Sequence, residues 1–195
     1  LNLLLYSVFR VGDATANVSW ASYQKIAGHP DVAWTIPVSL GDSYRGFRVL
    51  GTTNEYFEHY RFAGTHTLQF TTGGRFVDIY DAVLGADVAR QLGLKLGDPL
   101  VIAHGLGNVS FANHDDKPFH VTGILERTGT PVDRTVHVGL EAISAIHVDW
   151  QSGVQPPPGA RIGAEQARQL DLTPDSITAF MLGMRSKVMT FTMQR

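Results

Sequence analysis

Apolar residues along this chain fall into short runs at two different periods, and glycine and proline separate the runs. Residues 1–11 (LNLLLYSVFRV) are apolar and bounded by Gly12-Asp13, which predicts a core strand. The run is too short to cross a membrane, which takes about 20 apolar residues. Trp20, Tyr23, Ile26 and Ala27 recur at helical spacing behind Asn17 and Ser19, either of which can cap, so a helix is expected over 18–27. Gly28-His29-Pro30 stops it, with the glycine in a left-handed cap. Residues 31–40 return to strand, Gly41-Asp42-Ser43 turns the chain, and 45–51 form the next strand.

An aromatic-rich segment over 55–62 (EYFEHYRF) and a weakly patterned stretch up to Gly73-Gly74 follow. Residues 82–84 read as a short buried strand and 86–92 as a short helix closed by Gly93. Leu96-Gly97-Asp98-Pro99 is a tight turn before a strand over 100–104. Residues 105–117 are a polar, glycine-containing loop between strands. Strands are expected over 119–125 and 134–138, joined through Thr128-Gly129-Thr130-Pro131, and a helix over 140–146. Pro156-Pro157-Pro158-Gly159 makes a stiff excursion within 152–163 that carries no regular ladder. A helix over 164–170 and a strand over 176–184 close the pattern, and the strand (SITAFMLGM) is nearly continuous in apolar residues, as a central strand would be. This mixed order implies an α+β fold rather than a doubly wound parallel sheet.

Composition narrows the class. Charged residues are 17% of 195, low against about 25% in ordinary domains, while the apolar share is 44%. Disordered chains, coiled coils and solvating acidic tails are excluded. A formal charge of −2 gives no overall basic character to attract nucleic acid. With no cysteine, a zinc ribbon, an iron–sulfur site, a thiol nucleophile and a disulfide scaffold are impossible. The chain starts at Leu1 rather than methionine and stops at Arg195 in apolar sequence, which reads as a segment of something longer.

Motifs for chemistry are sparse. No lysine follows a glycine, so the phosphate-cradling G-x-x-x-x-G-K-[ST] loop is missing. Gly105-Leu106-Gly107 has Ser110 where a dinucleotide fingerprint needs its third glycine, and Gly41-Asp42-Ser43 has Arg45 where G-x-S-x-G needs its second. His114-Asp115-Asp116 with His120 offers imidazole and carboxylate ligands that would suit zinc or manganese. His114, Asp116 and His120 therefore define one alternative, a metal-dependent hydrolase; a free-standing periplasmic ligand-binding module is another. The residues alone assign no catalytic residue, no cofactor and no resident metal.

Several segments in order carry a resemblance. Val83-Leu84-Gly85-Ala86-Asp87-Val88-Ala89-Arg90-Gln91-Leu92-Gly93 is followed by Leu96-Gly97-Asp98. Phe119-His120-Val121-Thr122-Gly123-Ile124-Leu125-Glu126-Arg127-Thr128-Gly129 comes next, then Asp133 and a strand over 135–138. Asp31-Val32 with Pro37, and 51–57 (GTTNEYF), precede them. This succession resembles the extracytoplasmic core domain of MacB-like ABC transporter permeases, within the broader FtsX-like group. It covers most of residues 25–140, with 176–183 as the closing strand. The loop over 105–117 is longer than in the drug-efflux members, and 152–163 matches nothing in them.

The resemblance implies two lobes, a porter-like α/β sandwich from 1–76 plus 163–195 and a smaller strand-rich insert over 77–162. It implies a place on the periplasmic side of the bacterial inner membrane, between the first two membrane helices. The implied role is coupling of cytoplasmic ATP hydrolysis to export or to engagement of an envelope partner, with no enzyme activity and no cofactor of its own. The implied partners are the membrane helices of its own chain, an ABC ATPase subunit or domain, a second permease in a homodimer or heterodimer, and a periplasmic adaptor or outer-envelope protein. Gly73, Gly74, Pro156 and Gly159 lie near the expected lobe crossings and are hinge candidates. Phe111, in the 105–117 loop, is the candidate partner-binding residue.

Overall fold

The computed structural model describes residues 17–104, 116–150 and 156–186, and the structural statements below concern these. The expected strand over 1–11 and most of the 105–117 loop lie outside them. β1 (Val18–Ser19) leads into α1 (Trp20–Ala27), where the Ser19 hydroxyl accepts from the Ser22 N–H at 3.2 Å. This side-chain cap satisfies one of the N–H groups that a helix start leaves open. Gly28 ends the helix in a right-handed conformation (φ −80°, ψ 0°) rather than the expected left-handed one. Its N–H bonds back to the Gln24 carbonyl at 2.9 Å, so the last turn closes without a chain reversal.

β2 (Val32–Tyr44) runs straight through Gly41-Asp42-Ser43, which the sequence suggested was a turn. The register against β3 (Phe47–Thr52) shifts between Leu40 and Ser43, so this glycine marks an irregularity inside a long strand. The reversal instead lies at Arg45-Gly46, whose φ values are 46° and 82° between the paired Tyr44 and Phe47. Two consecutive positive φ angles match the twist of a two-residue hairpin, and Gly46 supplies one at no steric cost.

Next come α2 (Glu55–His59), the small hairpin of β4 (Arg61–Phe62) and β5 (His66–Thr67), and β6 (Phe70–Gly73). β7 (Asp81–Leu84) and α3 (Ala86–Leu92) follow, the helix closed by Gly93 at φ 67° as its sequence implies. The expected strand over 100–104 is split into β8 (Pro99–Leu100) and β9 (Ala103–His104) because the halves pair with different strands. β10 (Phe119–Leu125), β11 (Thr135–Gly139), α4 (Leu140–His147), α5 (Ala164–Ala167), β12 (Ser176–Ile177) and β13 (Ala179–Met184) complete the chain.

Nine strands form one mixed sheet in the order β13-β2-β3-β11-β7-β10-β6, with β8 beside β10 and β9 beside β2. β3 with β11 and β7 with β10 are parallel, and the remaining pairs are antiparallel, which makes the fold α+β. Among the described residues β13 has one neighbour, β2, and its residues after the buried Ala179 are half-buried. The sheet also crosses residue 76: Arg48–Thr52 pairs with Thr135–Gly139, and Phe70–Gly73 with Gly123–Leu125. Strands from both expected lobe segments are therefore hydrogen-bonded neighbours.

The period of two explains how the sheet carries a core on each side. Val49, Ala82, Leu84, Val136 and Val138 point to one face, against Val88 of α3 and Ala142 and Ile146 of α4. Their sequence neighbours Leu50 and Val83 point to the other, against Tyr56 and Phe57 of α2. His137 follows this alternation and is fully buried, with its ring 5.2 Å from Tyr56 and its Nδ1 3.1 Å from the Val83 carbonyl oxygen. Each fully buried Ile, Leu or Val contributes about 1.5–3 kcal/mol. A third cluster of Tyr23, Leu140 and Ile177 docks α1, aided by a 2.8 Å bond between the Tyr23 and Thr35 hydroxyls.

Candidate functional site

Asp116, one of the three metal candidates, is bonded to the Lys117 ammonium at 2.7 Å. Lys117 is only 1% exposed and also reaches Asp149 Oδ1 at 3.4 Å, while the other Asp149 oxygen accepts from the Ile162 N–H at 2.8 Å. A buried ammonium thus pairs with both Asp116 and Asp149. The cluster ties the entry of β10 to the segments after α4 and before α5. His120 is exposed on β10, and its backbone N–H donates to the Tyr80 carbonyl at 2.9 Å. His114 and Phe111 lie outside the described residues. Among those residues, one group of three potential metal ligands comes together, Glu55, Glu58 and His59. There Arg75 is bonded to Glu58, and His59 stacks on Trp34 at 4.9 Å with its Nε2 2.9 Å from Glu55.

The hinge candidates occupy two kinds of place. Gly73 sits within β6 at φ 70°, and a Cβ there would lie 2.0 Å from the Thr122 carbonyl oxygen. The Gly74 N–H donates to that same oxygen at 2.9 Å. Close approach of two backbones is thus the local reason for glycine at 73. Pro156 is half-buried, and Gly159 is exposed in a short 3-10 turn with open space around it.

Two clefts open at opposite ends of the parallel pair β3 and β11. One, of about 460 Å³, lies at their C-terminal ends between Thr53, Gly139 and Trp20. The Trp20 indole N–H and the Thr53 hydroxyl are buried there without a hydrogen-bond partner. Asp78 lies on its rim, where the hydrogen bond from Arg168 holds its carboxyl below the usual range.

The other cleft, of about 500 Å³, lies at the hairpin end and is lined by Arg48, Arg127 and Arg134 with Asp87 and Asp133. Asp133 builds it. This 3%-exposed carboxylate accepts from the Thr128 N–H and hydroxyl at 2.7 Å each and from the Gly129 N–H at 2.8 Å. It therefore fixes the turn that carries Arg127 and Arg134. The Arg134 guanidinium lies 5.1 Å over the Phe47 ring, which orients it. Asp87 is bonded to Arg90 at 2.8 Å; that bond, with smaller contributions from Arg127 and Arg134, holds its carboxyl below the usual range. The sequence gives little warning of this cleft, because Arg48 and Phe47 stand far along the chain from Arg127 and Arg134.

Two solved structures share this arrangement of sheet and helices. The periplasmic region of MacB from Actinobacillus actinomycetemcomitans is 11% identical, with a TM-score of 0.56 over 95% of this chain and 73% of that one. The extracellular domain of the noncanonic ABC-type transporter YknZ from Gram-positive bacteria is 10% identical, with a TM-score of 0.54 over 95% and 81%. At these identities the likeness is one of fold, and it is to the outer domains of ABC transporters. The chain belongs to the MacB-like periplasmic core domain family, whose family model matches residues 2–170. That family is the periplasmic domain of a membrane-embedded ABC transporter permease and is not itself an enzyme. No curated protein matches the sequence.

Proposed function

We propose that this domain is a passive lever outside the inner membrane, moved by ATP hydrolysis on a separate ATPase subunit or domain. Its movement drives export or engagement of an envelope partner. The observation that carries the reading is that the first and last described segments lie on one side of the large sheet. Val18 pairs with Ile177 in a separate two-stranded sheet, and the Arg185 N–H donates to the Asp31 carbonyl at 2.8 Å, so Val18 and Arg185 both lie on the β13 side of the large sheet. A body rooted twice on one side transmits a displacement of its roots to its far end. Strands of both expected lobe segments share the sheet, so of the hinge candidates we rank Pro156 to Gly159 first and Gly73-Gly74 as the least free.

The test uses the whole permease, assembled with its ATPase in lipid nanodiscs. The domain contains no cysteine, so Glu126→Cys gives a single label at the far end, paired with one in the permease's own membrane helices. The distance between the labels should shift between nucleotide-free and ATP-bound states. An unchanged distance in both states rules out the lever. The isolated chain should hydrolyse no ATP.

A further inference from the structure

We propose that the arginine-lined cleft at the hairpin end binds an acidic segment of a protein partner. Two exposed guanidinium groups flank it, Arg127 from the turn after β10 and Arg134 from the residue before β11, and the half-buried Arg48 of β3 also borders it. Arg127 is 74% exposed and its nearest carboxylate, Asp133, is 3.9 Å away. Arg134 is exposed and rests on the Phe47 ring. Both carboxylates in the lining are already engaged, Asp87 by Arg90 and Asp133 by the Thr128–Gly129 backbone. With Asp87 paired to Arg90, two exposed guanidinium groups, Arg127 and Arg134, stand against one buried carboxylate, Asp133, in a chain whose overall charge is −2.

Guanidinium groups present paired donors that fit carboxylates. Spread around a cleft of about 500 Å³, they suit several carboxylates in succession better than one small anion. Position separates the two macromolecular sources of negative charge. The hairpin lies at the far end of the 13-residue β2 from Val32, near which the Arg185 N–H bonds to the Asp31 carbonyl. A strand of that length spans about 40 Å. This point rests on the proposed function, in which the Val32 end of β2 faces the membrane; the cleft then faces away from the bilayer, toward soluble partners. The electrostatics stand without that reading.

The experiment measures fluorescence anisotropy of labelled hexaglutamate with the 195-residue chain. Binding should be lost at about 0.5 M NaCl, where charges are screened within a few ångströms. The double variant Arg127→Gln/Arg134→Gln should bind at least tenfold more weakly, with an unchanged circular dichroism spectrum, because both side chains are exposed. Arg75→Gln, an arginine elsewhere on the surface that pairs with Glu58, should bind as the parent chain does. Hexalysine should not bind. Equal binding by the double variant overturns the proposal. So does displacement of the peptide by millimolar inorganic phosphate, or preferential binding to phosphatidylglycerol vesicles. The label-distance experiment reads movement of the domain and this one reads peptide binding, so either proposal can fail while the other stands.

Discussion

Replacing Asp133 by alanine tests how the far end of the domain is built. The carboxylate is 3% exposed and accepts two backbone N–H groups and one hydroxyl, all within 2.8 Å. A hydrogen bond to a charged group contributes about 1.5–3 kcal/mol, and its loss leaves a donor unsatisfied. Gly129 is exposed and Thr128 half-buried, so water recovers part of this. Asp133→Ala should therefore cost about 3–4 kcal/mol, and Asp133→Asn, which keeps an acceptor oxygen in place, about half as much. For a chain of this size that is a fall in Tm on the order of 10 °C. Urea unfolding followed by tryptophan fluorescence measures it, with an unchanged m-value showing that the unfolded state is unaltered. Arg127→Ala is the internal control, because an exposed pair at this separation contributes less than about 1 kcal/mol. A loss below 1 kcal/mol for Asp133→Ala would refute the view that this buried carboxylate organises the turn.

Other perturbations test other parts of the fold. Gly73→Ala should destabilise by about 2–4 kcal/mol in the same titration, because its Cβ would meet the Thr122 carbonyl at 2.0 Å from a positive φ; Gly159→Ala, in open space, should stay within about 0.5 kcal/mol. Lys117→Met should cost about 3 kcal/mol by stranding Asp116 and Asp149, and adding Asp116→Asn and Asp149→Asn should recover most of it; a neutral single variant would show that the buried charges are not mutually dependent. Burial pushes the Tyr80 phenol up to about 12 from its ordinary 10. Its folded pKa lies above the unfolded one, so its contribution to stability is complete below pH 10 and lost as pH rises through 12. Stability measured between these values should fall more steeply in the parent chain than in Tyr80→Phe.

Local signals were enough for several elements. The helix over 86–92 with its closing Gly93, and the strand over 119–125, have the expected limits, because spacing and capping glycine act within a few residues. The turn expected at Gly41-Asp42-Ser43 failed for a non-local reason. β3 pairs along one side of β2, and β9 pairs with Asp42 and Ser43 on the other, which holds the glycine extended. The apolar run of β13 is a different case. Its residues stay half-exposed because one neighbour, β2, lies beside it among the described residues, and an apolar run does not report how many strands flank it.

By itself, then, the order of short strands, short helices and glycine turns determined the α+β class, and the succession from Val83 to Asp133 determined the family. Only the tertiary structure decided that β3 lies parallel to β11 and that Arg48, Arg127 and Arg134 share one cleft. Helix caps and hairpin turns form between residues a few positions apart, so sequence spacing carries them. Which strands become neighbours depends on how apolar faces from distant segments are buried together, and the cleft chemistry follows from that pairing.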